Sequence, residues 1–181
     1  MKLVILDRDG VINQDSDDYI KSVDEFIPYP DSLDAIARLN QAGYLVAIAT
    51  NQSGIGRGYY DESTLQAMHE KLAQQLAPHG GHIDHLAWCP HRPDQGCDCR
   101  KPRPGLLQQI GRHFGINLNG VTMVGDSPGD IAAARAVGAH PVLVKTGKGE
   151  RTLAQGTDLD GVPVYANLSA FVEHFLNQDA G

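Results

Sequence analysis

Long apolar runs are missing from the 181-residue sequence. The stretches Leu45 to Ala49 and Val142 to Val144 fall far short of the roughly 18 to 20 residues needed to cross a bilayer, which excludes a helical membrane span. Leu3 to Leu6 is the sole apolar run before Asp7, Arg8 and Asp9, too short for a secretory signal, so the cytoplasm is the expected compartment. Cysteine is scarce as well. Cys89, Cys97 and Cys99 form an odd, clustered set, which points to a metal before a disulfide framework. Positive charge is in deficit, 15 Lys and Arg against 22 Asp and Glu, and a net charge of −7 disfavours general nucleic-acid binding. Internal repeats and low-complexity tracts are absent. What is present is ordinary globular composition, 41% hydrophobic and 20% charged, enough for one packed domain over residues 1–181. One local exception stands out: His91 to Gly105 carries Arg92, Arg100, Lys101 and Arg103 against Asp94 and Asp98, a setting that attracts a small anion.

Lys2 to Leu6 is a short aliphatic run that ends abruptly at charged residues, the pattern of a buried parallel strand with its functional loop at the carboxyl end. Tyr44 to Ala49, Ile83 to Trp88, Val121 to Val124 and Pro141 to Val144 repeat that pattern, and Val162 to Tyr165 is a weaker sixth. Helical stripes alternate with them. Leu33, Ile36, Ala37 and Asn40 form one, stopped by Gly43; Leu65, Met68, Leu72 and Leu76 form a second, stopped near Pro78. Leu106, Leu107, Ile110 and Phe114 form a third between Pro104 and Gly115, and a fourth runs from Ser127 as N-cap, with Pro128 first and Asp130 three after the cap, to Gly138. Leu168 to Leu176 is a final amphipathic helix, while Gly147 to Asp160 and the last few residues read as exposed linker and frayed end. The alternation predicts a three-layer, Rossmann-like α/β fold whose ligands bind outside the carboxyl ends of the strands.

Chemistry-bearing residues recur at those strand ends. Asp7 and Asp9 follow the first strand two apart, so in extended backbone both carboxylates leave one side of the chain. Gly10 then removes the side chain where a ligand or backbone can approach; a solvated loop is the alternative. Thr50, Asn51, Gln52 and Ser53 after the second strand supply donors, followed by Gly54, Gly56 and Gly58, which suit a phosphoryl group or else form a wide turn. Lys101 precedes the third helix. Asp126 and Asp130 follow the fourth strand, the latter reading equally as a helix-capping acid.

Together and in this order, Asp7-x-Asp9, Thr50, Lys101 and Asp126-x-x-x-Asp130 resemble the four motifs of the haloacid dehalogenase-like phosphohydrolases, over Leu3 to about Val144. A carboxylate that attacks a phosphate meets like charge, on the order of 4 kcal/mol per close pair at intermediate dielectric, which cations must offset. The resemblance implies Asp7 as the nucleophile, and Asp9 as the group that protonates the leaving oxygen and then activates water. It implies Mg2+ on Asp7, the backbone carbonyl of Asp9 and Asp126, with Asp130 orienting a bound water, and Thr50 and the Asn51 backbone gripping phosphoryl oxygens.

Cys89-Pro90-His91 and Cys97-Asp98-Cys99 are two ligand pairs joined by a five-residue bridge. Three thiolates and one imidazole describe a closed structural Zn2+ site over residues 89–99, with free buried thiols as the alternative. This loop before Arg100-Lys101-Pro102, with Thr50-Asn51-Gln52-Ser53-Gly54 and Arg57-Gly58, is similar to the D-glycero-D-manno-heptose 1,7-bisphosphate 7-phosphatase family over nearly the whole chain. That likeness implies loss of the C7 phosphate of a sugar bisphosphate on the way to ADP-heptose and lipopolysaccharide core. It implies recognition by Arg100 and sugar contacts from Asp15, Ser16, Asp17 and Asp18, a stretch that reads equally as a solvated loop. Single helices fill the gaps after the first and second strands, which leaves no segment for a large cap domain, and a monomer is expected. For the second phosphate the candidates are Arg57, Arg92 and Arg103. Ser127 departs from the family pattern, where a basic residue is expected. Histidinol-phosphate phosphatase, which shares the motifs and the metal loop, is the nearest rival. A signalling receiver domain is disfavoured because its acceptor would not directly follow the first strand, and a nucleic-acid-binding zinc module because of the net charge.

Overall fold

The computed structural model describes residues 1–179 and shows the expected alternation. Among these residues six strands form one sheet: β1 (Lys2–Leu6), β2 (Tyr44–Asn51), β3 (His85–Cys89), β4 (Thr122–Gly125), β5 (His140–Val144) and β6 (Val164–Tyr165). All pairings are parallel and the order is β3-β2-β1-β4-β5-β6. The chain builds outward from β1 in one direction and from β4 in the other. The switch point therefore lies between β1 and β4, where such sheets open a crevice at their carboxyl edge.

Alternation along each strand divides the core into two layers. Val4, Leu6, Val46, Ile48, Val124 and Val144 face one side with α1 (Pro30–Gln41), α3 (Glu62–Leu76) and α7 (Leu168–Asp179). Leu3, Ile5, Ala47, Ala49 and Met123 face the other with α4 (Gly105–Phe114) and α5 (Pro128–Ala136). Every residue of β1 after Lys2 is buried, as a strand covered on both faces requires. Pro30 opens α1, and Asp61 caps α3 by accepting from the Thr64 amide at 2.9 Å.

Several boundaries differ from the sequence reading. β2 runs on through Thr50 and Asn51 because these pair with Trp88 and Cys89, so both donors sit on the sheet and not on a loop. The glycine-rich turn contains a one-turn helix, α2 (Ser53–Gly56). Gly147 to Asp160 is not an exposed linker. It holds α6 (Gly149–Gln155), whose Gly149 and Thr152 are buried. This helix has no apolar stripe to betray it; it is fixed instead by Thr152, whose hydroxyl donates to the Asp126 carbonyl at 2.7 Å. β6 shrinks to the two residues that pair with Leu143 and Val144. The final helix continues to Asp179, past the Leu176 expected, so the last few residues are helical that far and not frayed, while Ala180 and Gly181 lie outside the described residues. No described helix is long and apolar enough to cross a membrane.

Candidate active site

Asp7 and Asp126 leave the ends of neighbouring strands, tied by the Asp7 amide on the Val124 carbonyl at 2.9 Å, and converge on one point. One carboxylate oxygen from each of Asp7, Asp126 and Asp130 lies within 4.8 Å of the others, and all three residues are buried. Burial and the Asp130 charge push the Asp7 carboxyl well above its ordinary range, against the pull of Lys101. Burial and Asp130 also push Asp126 up to about 7. Asp130 resists the same desolvation because Lys101 holds it ionised, below its ordinary value.

Lys101 is the cation of this cluster. Its ammonium donates to Asp7 at 2.9 Å, to Asp130 at 2.5 Å and to the Ala49 carbonyl at 2.8 Å, which uses all three of its N–H groups. Asp130 Oδ2 accepts from the Asp126 and Ser127 amides and from the Ser127 hydroxyl. Both Asp130 oxygens thus accept from protein donors, and the residue ties Lys101 to the 126–127 turn. Three buried carboxylates against one ammonium leave an excess of negative charge, and hard oxygen donors of this kind fit a divalent cation such as Mg2+. Gly10 is necessary beside them. Its φ is +88°, and a Cβ there would collide with Asp126 Oδ2.

Asp9 stands apart from that cluster. Its Oδ1 accepts from Arg8 Nε and Asn13 Nδ2, each at 2.9 Å, and its Oδ2 from Gln52 Nε2 at 3.2 Å. Gln52 Nε2 also reaches Thr50 Oγ1 at 2.9 Å, and its carbonyl accepts from Tyr60, whose phenol burial pushes up to about 12. Arg8 has no solvent exposure and lies against Phe26, Met68 and His69.

A cavity of about 320 Å³ opens over these groups. Asp7, Asp9, Thr50, Asn51, Gln52, Ser53, Lys101 and Asp126 form its floor, and Asp15, Ser16, Asp17, Arg100 and Ser127 line its outer part. Asp18 does not; it is exposed, and its carbonyl accepts from Lys21. Nor do the three arginines expected near a second phosphate. Arg57 lies over the Tyr19 ring at 5.4 Å, Arg92 pairs with Asp94 at 3.3 Å, and Arg103 donates to the Cys97 carbonyl. Counting charges could not say where those guanidinium groups point. Tyr19 and Lys148 line the cavity and were missed by the sequence reading. A left-handed backbone at Tyr19, φ 68°, has no signature in a tyrosine, and Lys148 stood in the supposed linker.

The cysteine-histidine loop borders the same cavity. Cys89 is the last residue of β3, and Cys89 Sγ, His91 Nδ1, Cys97 Sγ and Cys99 Sγ lie within 4.8 Å of one another. None of the three thiols is in a disulfide. Soft sulfur donors with one imidazole, converging without a carboxylate, fit a closed four-coordinate Zn2+ site. The loop runs straight into Arg100 and Lys101. Arg100 Nη1 reaches the His91 carbonyl at 3.5 Å, and Lys101 exchanges two 3.0 Å hydrogen bonds with the Asn51 side chain, amide to Oδ1 and Nδ2 to carbonyl. Asn51 thus latches the loop to the end of β2.

Known proteins resemble this chain in sequence and fold. A family model described as HAD-hydrolase-like matches residues 98–171. A D-glycero-beta-D-manno-heptose-1,7-bisphosphate 7-phosphatase from Pseudomonas putida is 64% identical over 97% of this chain and 100% of its own length. Its counterpart from Pseudomonas aeruginosa is 59% identical over 96% and 97%. The crystal structure of D,D-heptose 1,7-bisphosphate phosphatase from B. bronchiseptica, complexed with magnesium and phosphate, superposes with a TM-score of 0.96 at 52% identity, covering 98% of this chain and 99% of that one.

Proposed function

The chain belongs to the D-glycero-D-manno-heptose-1,7-bisphosphate 7-phosphatase family of HAD-like hydrolases, and from that premise we propose that it hydrolyses the C7 phosphate of the heptose bisphosphate and leaves the 1-phosphate. The observation that carries this reading is the convergence of Asp7 with Asp126 and Lys101 beneath a cavity whose rim has room and polarity for a sugar.

Asp7 is the nucleophile. One of its carboxylate oxygens attacks phosphorus as the bond from phosphorus to the C7 oxygen breaks, and Lys101 offsets part of the developing charge. Asp9 supplies the proton that the departing alkoxide takes. Oδ1 accepts from both Arg8 and Asn13 and Oδ2 from Gln52 alone, which leaves Oδ2 the freer oxygen for that transfer. In the second half Asp9 removes a proton from water as the water oxygen attacks the aspartyl phosphate, releasing inorganic phosphate and restoring Asp7. Thr50 and the Asn51 backbone hold the phosphoryl oxygens, and Gln52 keeps Thr50 and Asp9 in register. Mg2+ held by Asp7, Asp126 and the Asp9 carbonyl would lower the repulsion between the attacking carboxylate and the phosphate. Zn2+ held by Cys89, His91, Cys97 and Cys99 would stiffen the loop that aims Arg100 and Lys101.

Phosphate release from heptose 1,7-bisphosphate, set against histidinol phosphate, tests the substrate. A preference of orders of magnitude for the bisphosphate, with the 1-phosphate retained in the product, is expected; the opposite preference would transfer the chain to histidinol phosphate. Asp7→Asn keeps the shape and loses the nucleophile, so turnover should fall by at least about a thousandfold while the fold survives.

A further inference from the structure

A sugar bisphosphate brings a second dianion, and the floor of the cavity has no cation left for it. Lys101 has spent its three N–H groups on Asp7, Asp130 and Ala49, while Arg57, Arg92 and Arg103 are engaged outside the cavity. Among the described residues, the other cationic side chains lining it are Arg100 and Lys148.

The backbone of Lys148 is fixed with unusual firmness for a loop residue. Its amide donates to Asp126 Oδ2 at 2.8 Å, and its carbonyl accepts from Thr152, whose hydroxyl also holds the Asp126 carbonyl. The residue before it, Gly147, packs so closely on Gly10 and Asp126 that a Cβ would not fit. Two residues back, the Thr146 hydroxyl donates to the Gly10 carbonyl at 2.6 Å. From this anchor the side chain extends to the outer rim, 40% exposed, where its ammonium meets Asp15 at 2.7 Å. One turn further along α6, Arg151 meets Asp17 at 3.2 Å. Lys148 borders both the catalytic cavity and an adjoining hollow of about 270 Å³ that it shares with Asp15, Tyr29 and Arg151.

We infer that Lys148 is a specificity-determining residue that anchors the distal phosphate, exchanging its Asp15 partner for the phosphate when substrate binds. The inference rests on the bisphosphate reading given above. A phosphate dianion carries twice the charge of the carboxylate it displaces and offers three acceptor oxygens, while Lys148 has three N–H groups of which Asp15 takes one. Once released, the Asp15 carboxylate is an acceptor with no cation, suited to a sugar hydroxyl. The exchange links recognition of the far phosphate to recognition of the ring. Because the main chain of Lys148 is tied to Asp126, the distal anchor is held at a set distance from the reacting end, which measures the span between the two phosphates.

Lys148→Met keeps the stem and the amide bond to Asp126 but removes the charge, and Lys148→Arg keeps the charge. Steady-state kinetics with heptose 1,7-bisphosphate and with a monophosphate ester lacking the distal group, at saturating Mg2+, separate the possibilities. Lys148→Met should lose about 10- to 100-fold in kcat/KM on the bisphosphate, mostly in KM, with a loss at least ten-fold smaller on the monophosphate, and Lys148→Arg should recover most of it. Equal losses on both substrates, or an altered Mg2+ requirement, would mean that Lys148 acts through Asp126 and overturn the inference. A Lys148→Met enzyme that keeps the wild-type preference would assign the distal phosphate to Arg100 alone. A wild-type enzyme without preference for the bisphosphate would overturn the substrate reading itself, a result the variants cannot mimic.

Discussion

Arg8 donates its Nε to Asp9 Oδ1 at 2.9 Å from a position with no solvent exposure, and its Nη1 lies 3.2 Å from His69 Nε2. Two residues adjacent in the chain would be expected to diverge along an extended backbone; here the guanidinium folds back on its neighbour. Arg8 only donates, so His69 must accept through Nε2 and be neutral, consistent with burial and Arg8 pushing its pKa down to about 4. Burying a permanent charge is costly and seldom the best way to stabilise a core. In the mechanism proposed above, its use is to hold Asp9 in place with Oδ2 as the freer oxygen.

Arg8→Met should therefore impair the step that needs the acid. Turnover of a sugar phosphate, whose alkoxide leaves poorly without a proton, is expected to drop about 10- to 100-fold. Turnover of p-nitrophenyl phosphate, whose leaving group needs little assistance, should drop by a few-fold at most. Comparable losses on both would show a general structural defect and remove the positioning role.

The carboxylate pair at the floor links pH to metal. Asp7 is raised, and Asp126 lies at about 7, where an unfolded carboxyl titrates near 4. The metal-free folded state thus binds protons that the unfolded chain gives up. This contribution to stability is complete below about pH 4 and is lost as pH rises through 7. Metal-free protein should melt at a falling temperature from pH 5 to pH 8, and millimolar Mg2+ should cancel the decline. Mg2+ binding followed by calorimetry near pH 6.5 should release protons, seen as a dependence of the measured heat on buffer. Heats independent of buffer would place the ion elsewhere.

Gly10→Ala tests the closeness of backbone to metal carboxylate. The new methyl would meet Asp126 Oδ2 in a backbone conformation that L-residues disfavour. Mg2+ affinity should weaken by about tenfold or more, with a stability loss on the order of 1 to 2 kcal/mol. Unchanged affinity would indicate that Asp126 is free to relocate.

Removing the Zn2+ proposed for the cysteine-histidine loop should act at a distance. Cys99→Ser, or a zinc chelator, should lower bound zinc from one per chain, increase hydrogen exchange across residues 96–103, and reduce kcat/KM by about tenfold or more through Arg100 and Lys101. Full activity in zinc-free protein would leave the loop held by the Asn51 latch alone.

Most of the fold was legible because its signals are local. Short aliphatic runs ending in Asp7 or in Gly125-Asp126 announce buried strands with functional ends, and Ser127-Pro128 with Asp130 announces a helix start; all three hold. The carboxylates, Thr50, Lys101 and the cysteine-histidine set were legible for the same reason, each standing beside a strand end or in a tight cluster. Geometry with no local pattern was not. Helix α6 is stabilised by Thr152 on Asp126, a bond that spans 26 positions, and so Lys148 was invisible. The reach of an arginine depends on what its tip finds, and Arg57 found Tyr19.

The order β3-β2-β1-β4-β5-β6 sets Asp7 and Asp126 at the ends of the innermost strands, while the cysteine-histidine loop that leads to Arg100 and Lys101 hangs from the edge strand β3. Warming such a molecule opens its margins long before its centre. The segment carrying Arg100 and Lys101 should therefore loosen while Asp7 and Asp126 are still held, and a thermally stressed enzyme should lose turnover before its sheet comes apart.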